Sequence, residues 1–205
     1  MNPYEKYILP HFINVACGMK PITLQRQKVV PEASGRILEV GMGSGLNMPY
    51  YDPSKVEKVY GLEPSEDMRA LASKRVANAP FEVEFIDLPG EEIPLEDNSV
   101  DTVLLTYTLC TIPDTAQALA QMKRVLKPGG KLLFSEHGAA PDESVKKWQE
   151  RINPYWKPIA GGCNLNRAIP QLLEQAGFKI KDMDMAYLPG TPKFAGFNYW
   201  GEATI

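Results

Sequence analysis

The hydrophobic pattern of the chain alternates between short apolar runs and longer stretches with helical periodicity. The apolar runs have the length and the β-branched content of buried strands, and they lie at residues 36–40, 58–62, 81–86, 100–106 and 131–136. The predicted helices between them lie at residues 44–49, 65–76 and 115–126. Because strands and helices that alternate through short loops form parallel sheets, we expect an α/β fold with helices on both faces.

The pattern changes after residue 136. It predicts helices at residues 141–152 and 167–176, and then strands at residues 178–187 and 194–203. A Pro-Gly-Thr-Pro segment separates the two strands, and this composition is typical of a turn. Residues 178–203 are therefore predicted to form two strands joined by a turn.

Residues 1–30 precede the first strand and carry aromatic and apolar side chains at helical spacing. Tyr7 and His11 lie in this segment, and a proline divides it into two short helical pieces. One interpretation is a helical lid of residues 1–30 over the cleft of the main domain, residues 31–205. The other is an interfacial helix that contacts a membrane through residues 1–20, although its polar face carries few Lys or Arg residues.

A glycine-rich loop follows the first strand. Gly41, Gly43 and Gly45 alternate with other residues, and Glu39 stands in the strand just before them. Glycines at this spacing allow backbone angles that other residues avoid, and they let a ligand approach the main chain closely. The acid suits a ligand with an ammonium group or hydroxyl groups. A plain tight turn is the other interpretation. A G-x-G-x-x-G dinucleotide motif would place its third glycine one residue later, which counts against a nicotinamide dehydrogenase.

This G-x-G-x-G loop with its preceding acid resembles the cofactor loop of class I S-adenosylmethionine (SAM) methyltransferases. Four more features agree in order over residues 36–136: Glu63 after the second strand, a loop at Gly90, the segment after the fourth strand, and R-V-L-K-P-G-G at residues 124–130. The resemblance implies a Rossmann-like sheet, mostly parallel with a C-terminal antiparallel hairpin. It also implies SAM as cofactor and S-adenosylhomocysteine as product.

The resemblance assigns a cofactor site to the loops after the first four strands. Glu63 is placed to accept hydrogen bonds from both ribose hydroxyls of the adenosyl group. Met68 is either an adenine contact or a core residue, and Cys110 either faces the ligands or is a buried structural cysteine. Many family members carry an aspartate where Pro89 stands, so a contact from the next two residues is expected to replace it. The residues expected at the cofactor are Glu39, Gly41, Gly43, Ser44, Gly45, Asn47, Glu63, Pro64, Met68, Pro89, Gly90, Glu91, Thr106, Tyr107 and Cys110.

After residue 131 the resemblance narrows to the animal methyltransferase-like thiol S-methyltransferases, within the type 11 and ubiquinone/menaquinone methyltransferase-like group. It rests on S-E-H-G-A at residues 135–139, P-Y-W at 154–156 and G-G-C-N-L-N-R at 161–167. Those relatives carry an apolar N-terminal membrane anchor, and residues 1–20 here are too short and too polar to be one. The resemblance implies methylation of a small, lipophilic acceptor on sulfur.

Two other functions fit the same core. Methylation of a phospholipid or quinone on nitrogen, carbon or oxygen is the alternative within the enzymes. A non-catalytic SAM-binding protein is a third possibility, against which the intact glycine loop and Glu63 argue.

Candidate catalytic residues follow the fifth strand. His137 is the expected base or acceptor-orienting group, and Glu136 is expected to orient it. A satisfied structural histidine and a salt-bridged glutamate are the alternatives. The residues expected in the acceptor pocket are Tyr7, His11, Trp156, Cys163, Asn164 and Arg167. Arg167 is equally typical of a helix N-terminal surface position.

Composition and charge narrow the possible partners. The net charge of −3 gives no electrostatic footprint for nucleic acid, so the expected partner is a small-molecule acceptor. The three cysteines are far apart and lack metal-ligand spacing, which predicts no metal, reduced thiols and a cytoplasmic location, with possible contact at a membrane surface. No secretory signal and no membrane-spanning run is visible. The oligomeric state is left open.

Overall fold

The computed structural model describes residues 3–205, and the strands of this part of the chain form one sheet. The strands are β1 (Gly35–Val40), β2 (Val56–Leu62), β3 (Glu82–Ile86), β4 (Val100–Thr106), β5 (Leu126–His137), β6 (Lys179–Tyr187) and β7 (Phe197–Thr204). The helices are α1 (Pro3–Tyr7), α2 (Leu9–Cys17), α3 (Lys20–Val29), α4 (Glu66–Ala77), α5 (Thr115–Val125), α6 (Glu143–Ile159), α7 (Ile169–Gln175) and α8 (Lys193–Gly196).

The strands lie in the order β3-β2-β1-β4-β5-β7-β6. β1 to β5 run parallel, whereas β7 pairs antiparallel with both β5 and β6. The expected α/β sheet, mostly parallel with a C-terminal antiparallel hairpin, is thereby confirmed. Strand order reverses between β1 and β4, and ligands of such sheets bind beyond the carboxyl ends of the strands at that point. The loops after β1 and β4 therefore mark the expected ligand site.

Helices cover both faces of the sheet, because alternate residues of each central strand enter two separate apolar clusters. Along β5, Leu132 and Phe134 pack in the cluster that contains residues of α5 and α7. Leu133 lies between them in sequence and packs on the opposite face, in the cluster that contains Val29 of α3. Burying a side chain such as Phe134 contributes about 2–3 kcal/mol, so this alternation stabilises both layers at once.

The glycine loop is not followed by the regular helix that the pattern predicts at residues 44–49. Only a short 3₁₀ turn, Met48–Tyr50, forms there. Gly45 has a φ of 74°, which a right-handed helix cannot accommodate, and Pro49 lacks the N–H that would continue one. The prediction was wrong because a hydrophobic pattern does not report these two backbone restrictions.

Helix α6 is longer than the predicted segment and contains Pro154 and Pro158. Gln149 anchors it, since this fully buried amide accepts the Ala140 N–H and donates to the carbonyl oxygens of Gly138 and Leu165. The helix is thereby fixed to the loops that follow β5, which places its last turns beside the expected acceptor site.

The N-terminal segment forms three short helices, with the first break at Ile8, just before the proline in the first turn of α2. Within residues 3–205, no helix has both the length and the apolar character needed to cross a bilayer. The division into a lid and a main domain stays a prediction.

Candidate active site

The glycine loop after β1 adopts backbone angles that require glycine. Gly41, Gly43 and Gly45 have φ values of 69°, 57° and 74°, in the left-handed region. A Cβ at Gly41 would clash with Thr108, and a Cβ at Gly43 would lie 3.3 Å from Met68 Cε. The loop therefore brings bare main chain to the carboxyl edge of the sheet, close to the segment that follows β4.

Glu63 closes one side of this loop. Its carboxylate accepts the Gly43 N–H at 2.9 Å through Oε2 and the Ser65 N–H at 2.9 Å through Oε1. Burial raises the pKa of Glu63, and the two backbone donors offset part of that effect. The side chain is held rigidly at the end of β2, with lone pairs left for further donors.

Glu39 lies deeper, beneath the loop, and is almost fully buried. Tyr51 donates to its Oε2 at 2.6 Å, and Asn47 Nδ2 donates to its Oε1 at 2.8 Å. Burial raises the pKa of Glu39 to about 7, although the bonds from Tyr51 and Asn47 and the charge of Arg26 act in the opposite direction. Glu39 therefore holds the glycine loop in place through its hydrogen bond with Asn47.

Arg26 connects the N-terminal helices to this network. Its Nη1 donates to Asn47 Oδ1 at 2.6 Å and to Thr106 Oγ1 at 2.7 Å, and its guanidinium lies over the ring of Tyr107. The side chain is buried, so these charge-assisted bonds form away from bulk water. The guanidinium of Arg26 therefore connects α3 to the glycine loop and to the end of β4.

A cavity of about 60 Å³ lies above this network, between the sheet edge and α2. Its walls include Gly41, Gly43, Ser44, Met68, Thr106 and Tyr107 from the sheet side, and Ile13, Asn14 and Cys17 from α2. Asn14 is fixed to the loop by a hydrogen bond of 2.7 Å between its Oδ1 and Ser44 Oγ. The volume of this cavity is smaller than that of pockets for drug-sized ligands, about 300–1,000 Å³.

The segment after β4 is held by Glu136. Its Oε1 accepts the N–H groups of Thr108 at 2.8 Å and Leu109 at 3.1 Å, while its Oε2 has no partner among the described residues. Tyr107 has a φ of 57°, which a non-glycine residue adopts only when its surroundings hold it there. Glu136 thus fixes a strained turn beside the cavity, in addition to any contact with His137.

Several predicted acceptor residues gather behind this turn. His137 Nε2 lies 3.2 Å from Cys163 Sγ. Asn164 donates from both its backbone N–H and its Nδ2 to the carbonyl oxygen of Cys110 at 2.9 Å, and Arg167 Nη1 donates to the Leu109 carbonyl oxygen. The loop that carries Cys163 is therefore bonded directly to the segment after β4.

Four other predicted site residues do not line the cavity. Tyr7 and His11 are exposed on α1 and α2, away from the cavity walls. Trp156 packs edge-to-face on the ring of Phe194 at 6.3 Å between centroids. Pro64 is exposed at the start of α4, beyond Glu63.

The loop after β3 does not line the cavity. Pro89 is half-buried there, and Gly90 is buried against Val40 and Ile112. Glu91 Oε1 accepts the N–H of Asp114, at the start of α5.

The comparisons with known proteins agree with this geometry. A family model described as a methyltransferase domain matches residues 38–134. Thiol S-methyltransferase TMT1B of Homo sapiens is 36% identical over 175 residues, which cover 80% of this chain and 71% of that protein. The chain belongs to the class I SAM-dependent methyltransferases. This membership confirms the resemblance and excludes the nicotinamide dehydrogenase alternative.

This SAM methyltransferase is also similar to other members of the family. A ubiquinone/menaquinone biosynthesis C-methyltransferase, UbiE of Geobacter sulfurreducens, is 35% identical over 133 residues, covering 62% of this chain and 52% of that protein. The solved structure of a SAM-dependent methyltransferase from Leishmania major superposes with a TM-score of 0.70 at 16% identity, covering 98% of this chain and 80% of that one. That likeness shows the fold alone.

The residues of the methyltransferase fit its cofactor. The three left-handed glycines form a cradle that a Cβ would fill, and this allows the main chain to approach the methionine moiety. Glu63 has acceptor capacity for the ribose hydroxyls beyond its two backbone donors, and Met68 borders the same cavity. The contacts of individual residues with bound SAM stay predictions.

The sequence pattern did not identify Arg26, Asn14, Cys17 or Tyr51 as members of the site. Arg26 and Asn14 lie in the N-terminal helices, far from the motif in sequence, and their partners become known only once those helices dock on the sheet edge. Tyr51 follows the loop and gives no signal of its own, because its partner Glu39 lies in the preceding strand.

Replacing Glu63 tests the cofactor assignment. Glu63→Ala removes the acceptor for the ribose hydroxyls and leaves the N–H groups of Gly43 and Ser65 without a partner. We expect SAM affinity to fall by about 1–3 kcal/mol, measured by calorimetric titration. Glu66→Ala, an exposed acid at the start of the following helix, is the matched control and is expected to bind SAM like the wild type. Equal affinities of the Glu63 variant and the wild type would remove Glu63 from the site.

The raised pKa of Glu39 makes a prediction about stability. Below about pH 4.5 the Glu39 carboxyl is protonated in both the folded and the unfolded protein. Between pH 4.5 and 7 the folded protein retains this proton, whereas the unfolded chain has lost it. Stability therefore falls as pH rises through this window. The wild type is expected to lose stability over this range, and Glu39→Gln is not. The free energy of unfolding of Glu39→Gln, taken relative to the wild type, is therefore expected to rise by up to about 3 kcal/mol from pH 5 to pH 8, measured by urea unfolding.

The control for this experiment is Glu57→Gln, which changes an exposed acid to an amide. The free energy of unfolding of this control should change with pH as that of the wild type does, so that the difference between the two stays constant from pH 5 to pH 8. A constant difference for the Glu39 variant as well would show that the carboxylate is ionised in the folded protein throughout.

Proposed function

We propose that this methyltransferase transfers the methyl group of SAM to the sulfur of a small, lipophilic thiol. The single observation that carries the proposal is the similarity to thiol S-methyltransferase TMT1B, which extends over four fifths of the chain. The match reaches beyond residues 38–134 of the general methyltransferase domain. It therefore includes segments outside the cofactor-binding core.

The cofactor supplies a methyl group on a positively charged sulfur, and its leaving group is neutral. The protein's task is to align the acceptor with the methyl carbon and to exclude water. The glycine loop and Glu63 orient the cofactor from the ends of β1 and β2. Arg26 and Glu136 fix the turn after β4 from two sides, which limits the freedom of Tyr107 beside the reacting groups.

The acceptor approaches from the side of His137, Cys163 and Asn164. A thiol is partly ionised near neutral pH and is strongly nucleophilic once ionised, so it needs less help from a base than an alcohol or amine does. His137 is positioned at the carboxyl end of β5 to orient the sulfur or to take its proton. Cys163 forms no covalent intermediate in this scheme, because displacement occurs in one step.

Methylation of a quinone or phospholipid is the second candidate. The similarity to the C-methyltransferase UbiE of Geobacter sulfurreducens favours it, at almost the same identity but over a shorter part of this chain. Carbon and nitrogen acceptors require a correctly placed base, for which His137 is the available group.

The test is product formation from matched acceptors. Lipophilic thiols are incubated with SAM beside alcohols of the same carbon skeleton, a reduced quinone and phospholipid vesicles, and methylated products are identified by mass spectrometry. We expect thioether formation at least ten times faster than methylation of the matched alcohol. Methylation of the quinone or phospholipid with unmodified thiols would contradict the proposal and support the second candidate.

We also propose that residues 1–20 contact a membrane surface from which a lipophilic acceptor enters. Large apolar side chains are exposed on α1 and α2, with Tyr7 at 65% and Val15 at 69%. The Tyr4 hydroxyl donates to the carbonyl oxygen of Ile159 at the end of α6, where Tyr155 is also exposed. Apolar surface gathered in this way favours an interfacial location.

Vesicle sedimentation tests this contact. The double variant Tyr7→Ser/Val15→Ser is expected to bind phosphatidylcholine vesicles with anionic lipid at least five times more weakly than the wild type, because two apolar side chains no longer enter the interface. Met185→Ser removes an apolar side chain that is 58% exposed on β6, and this variant should bind as the wild type does. Failure of the wild type to sediment with vesicles would contradict the proposal.

A further inference from the structure

A cluster of three metal-ligating side chains lies behind the turn after β4. The side chains are those of Cys110, His137 and Cys163, and their Sγ, nitrogen and Sγ atoms all lie within 4.8 Å of one another. Cys110 and Cys163 are 53 residues apart in sequence and come from different loops, so no local spacing motif brings them together. The fold alone assembles this cluster.

The distances within the cluster suit a single cation. His137 Nε2 and Cys163 Sγ are 3.2 Å apart. In a tetrahedral zinc site with bonds of about 2.0–2.3 Å, neighbouring ligand atoms lie about 3.3–3.8 Å apart. Small side-chain rotations would therefore place all three atoms on one Zn²⁺ ion. Two thiolates and an imidazole form a donor set that Zn²⁺ binds strongly.

The surroundings hold two of the ligands in place. Cys110 is buried, and its carbonyl oxygen accepts both the backbone N–H and the Nδ2 of Asn164, the residue that follows Cys163. These two hydrogen bonds to one carbonyl oxygen fix the two cysteine-bearing loops relative to each other. Glu136 holds the same turn from below through Thr108 and Leu109.

The cluster borders the cofactor cavity. The Cys110 thiol donates to the carbonyl oxygen of Tyr107 at 3.8 Å, and Tyr107 is itself a wall of the cavity. A group bound at the cluster would therefore lie beside the reacting end of the cofactor site.

Without a cation the imidazole of His137 is poorly satisfied. Its Nε2 faces the Cys163 Sγ at 3.2 Å, and a thiol is a weak hydrogen-bonding partner. His137 Nδ1 is buried with no partner among the described residues. Coordination would replace weak thiol contacts by strong metal–ligand bonds, with the two thiol protons released to water.

We propose that Cys110, His137 and Cys163 bind one Zn²⁺ ion whose fourth position takes the acceptor thiol. Three protein ligands and one open position are the arrangement of catalytic rather than structural zinc sites. The role of the fourth position rests on the proposed thiol methylation. His137 is then a ligand and not a base.

The chemistry balances with the cofactor as the only co-reactant. The acceptor thiol binds the open position and loses its proton to water, because the cation stabilises the thiolate. An electron pair of its sulfur forms a bond with the methyl carbon, while the carbon–sulfonium bond breaks and leaves its pair on the sulfur of S-adenosylhomocysteine. The neutral thioether is a weak ligand and departs.

The first experiment measures metal binding directly. Reduced, metal-free protein is titrated with Co²⁺ and then with Zn²⁺, and thiolate-to-cobalt charge-transfer bands and metal content are recorded. We expect one equivalent of tetrahedral Co²⁺ that Zn²⁺ displaces. Cys163→Ser and His137→Gln should each weaken binding at least tenfold, with folding checked by circular dichroism. His11→Gln, which changes the exposed histidine of α2, is the matched control and should bind as the wild type does. Absence of stoichiometric binding, or unchanged binding in both ligand variants, would overturn the proposal.

A second measurement separates this inference from the proposed function. Thiol methylation and SAM affinity are compared in the metal-free and zinc-reconstituted wild type. Methylation at least ten times faster with zinc, at equal SAM affinity, supports the catalytic site. Equal rates in the verified metal-free protein would overturn the role of the metal and leave thiol methylation standing. A third outcome is metal binding without thiol methylation in either the metal-free or the zinc-reconstituted protein. It would overturn the proposed function and the role of the fourth position, but the three-ligand metal site would remain.

Discussion

The buried guanidinium of Arg26 is the interaction on which the site depends. It bonds to Asn47 in the glycine loop and to Thr106 at the end of β4, and Asn47 in turn bonds to Glu39 in β1. Arg26 carries a buried positive charge, and Glu39 is a buried carboxyl with a raised pKa, so neither group has water to solvate it. A buried charge is tolerated only with partners, so these groups constrain one another and the loops between them. The two central strands can present a ligand site because this network holds their ends.

The same network explains why the N-terminal helices belong to the site. Arg26 comes from α3, and Asn14 and Cys17 from α2, although all three precede the first strand of the sheet. Helix α3 is anchored by its buried arginine, whereas α2 is bonded to the glycine loop through Asn14 and Ser44. The two helices are therefore held to the site in different ways, one through a buried charge and the other through a neutral hydrogen bond.

The sequence predicts the fold well because the relevant signals are local. Apolar runs, the helix cap Ser65, whose Oγ accepts the Met68 N–H, and the turn at residues 189–192 each act within a few residues. The order of strands then follows from the family. The glycine loop and Glu63 are likewise adjacent in one βαβ unit. Long-range pairs such as Tyr51 with Glu39, or Cys110 with Cys163, have no such local signal. They depend on how loops meet after folding, which the hydrophobic pattern does not encode.

The position of β7 has a consequence for how the protein is made. β7 lies between β5 and β6 in the sheet, although β6 precedes it in the chain. During synthesis, β6 leaves the ribosome before β7, its one strand partner among residues 3–205, and the outer edge of β5 stays open as well. Unpaired strand edges are templates for association with other chains. The growing polypeptide is therefore most vulnerable to aggregation just before residues 197–204 emerge, at a stage when its parallel core can already have formed.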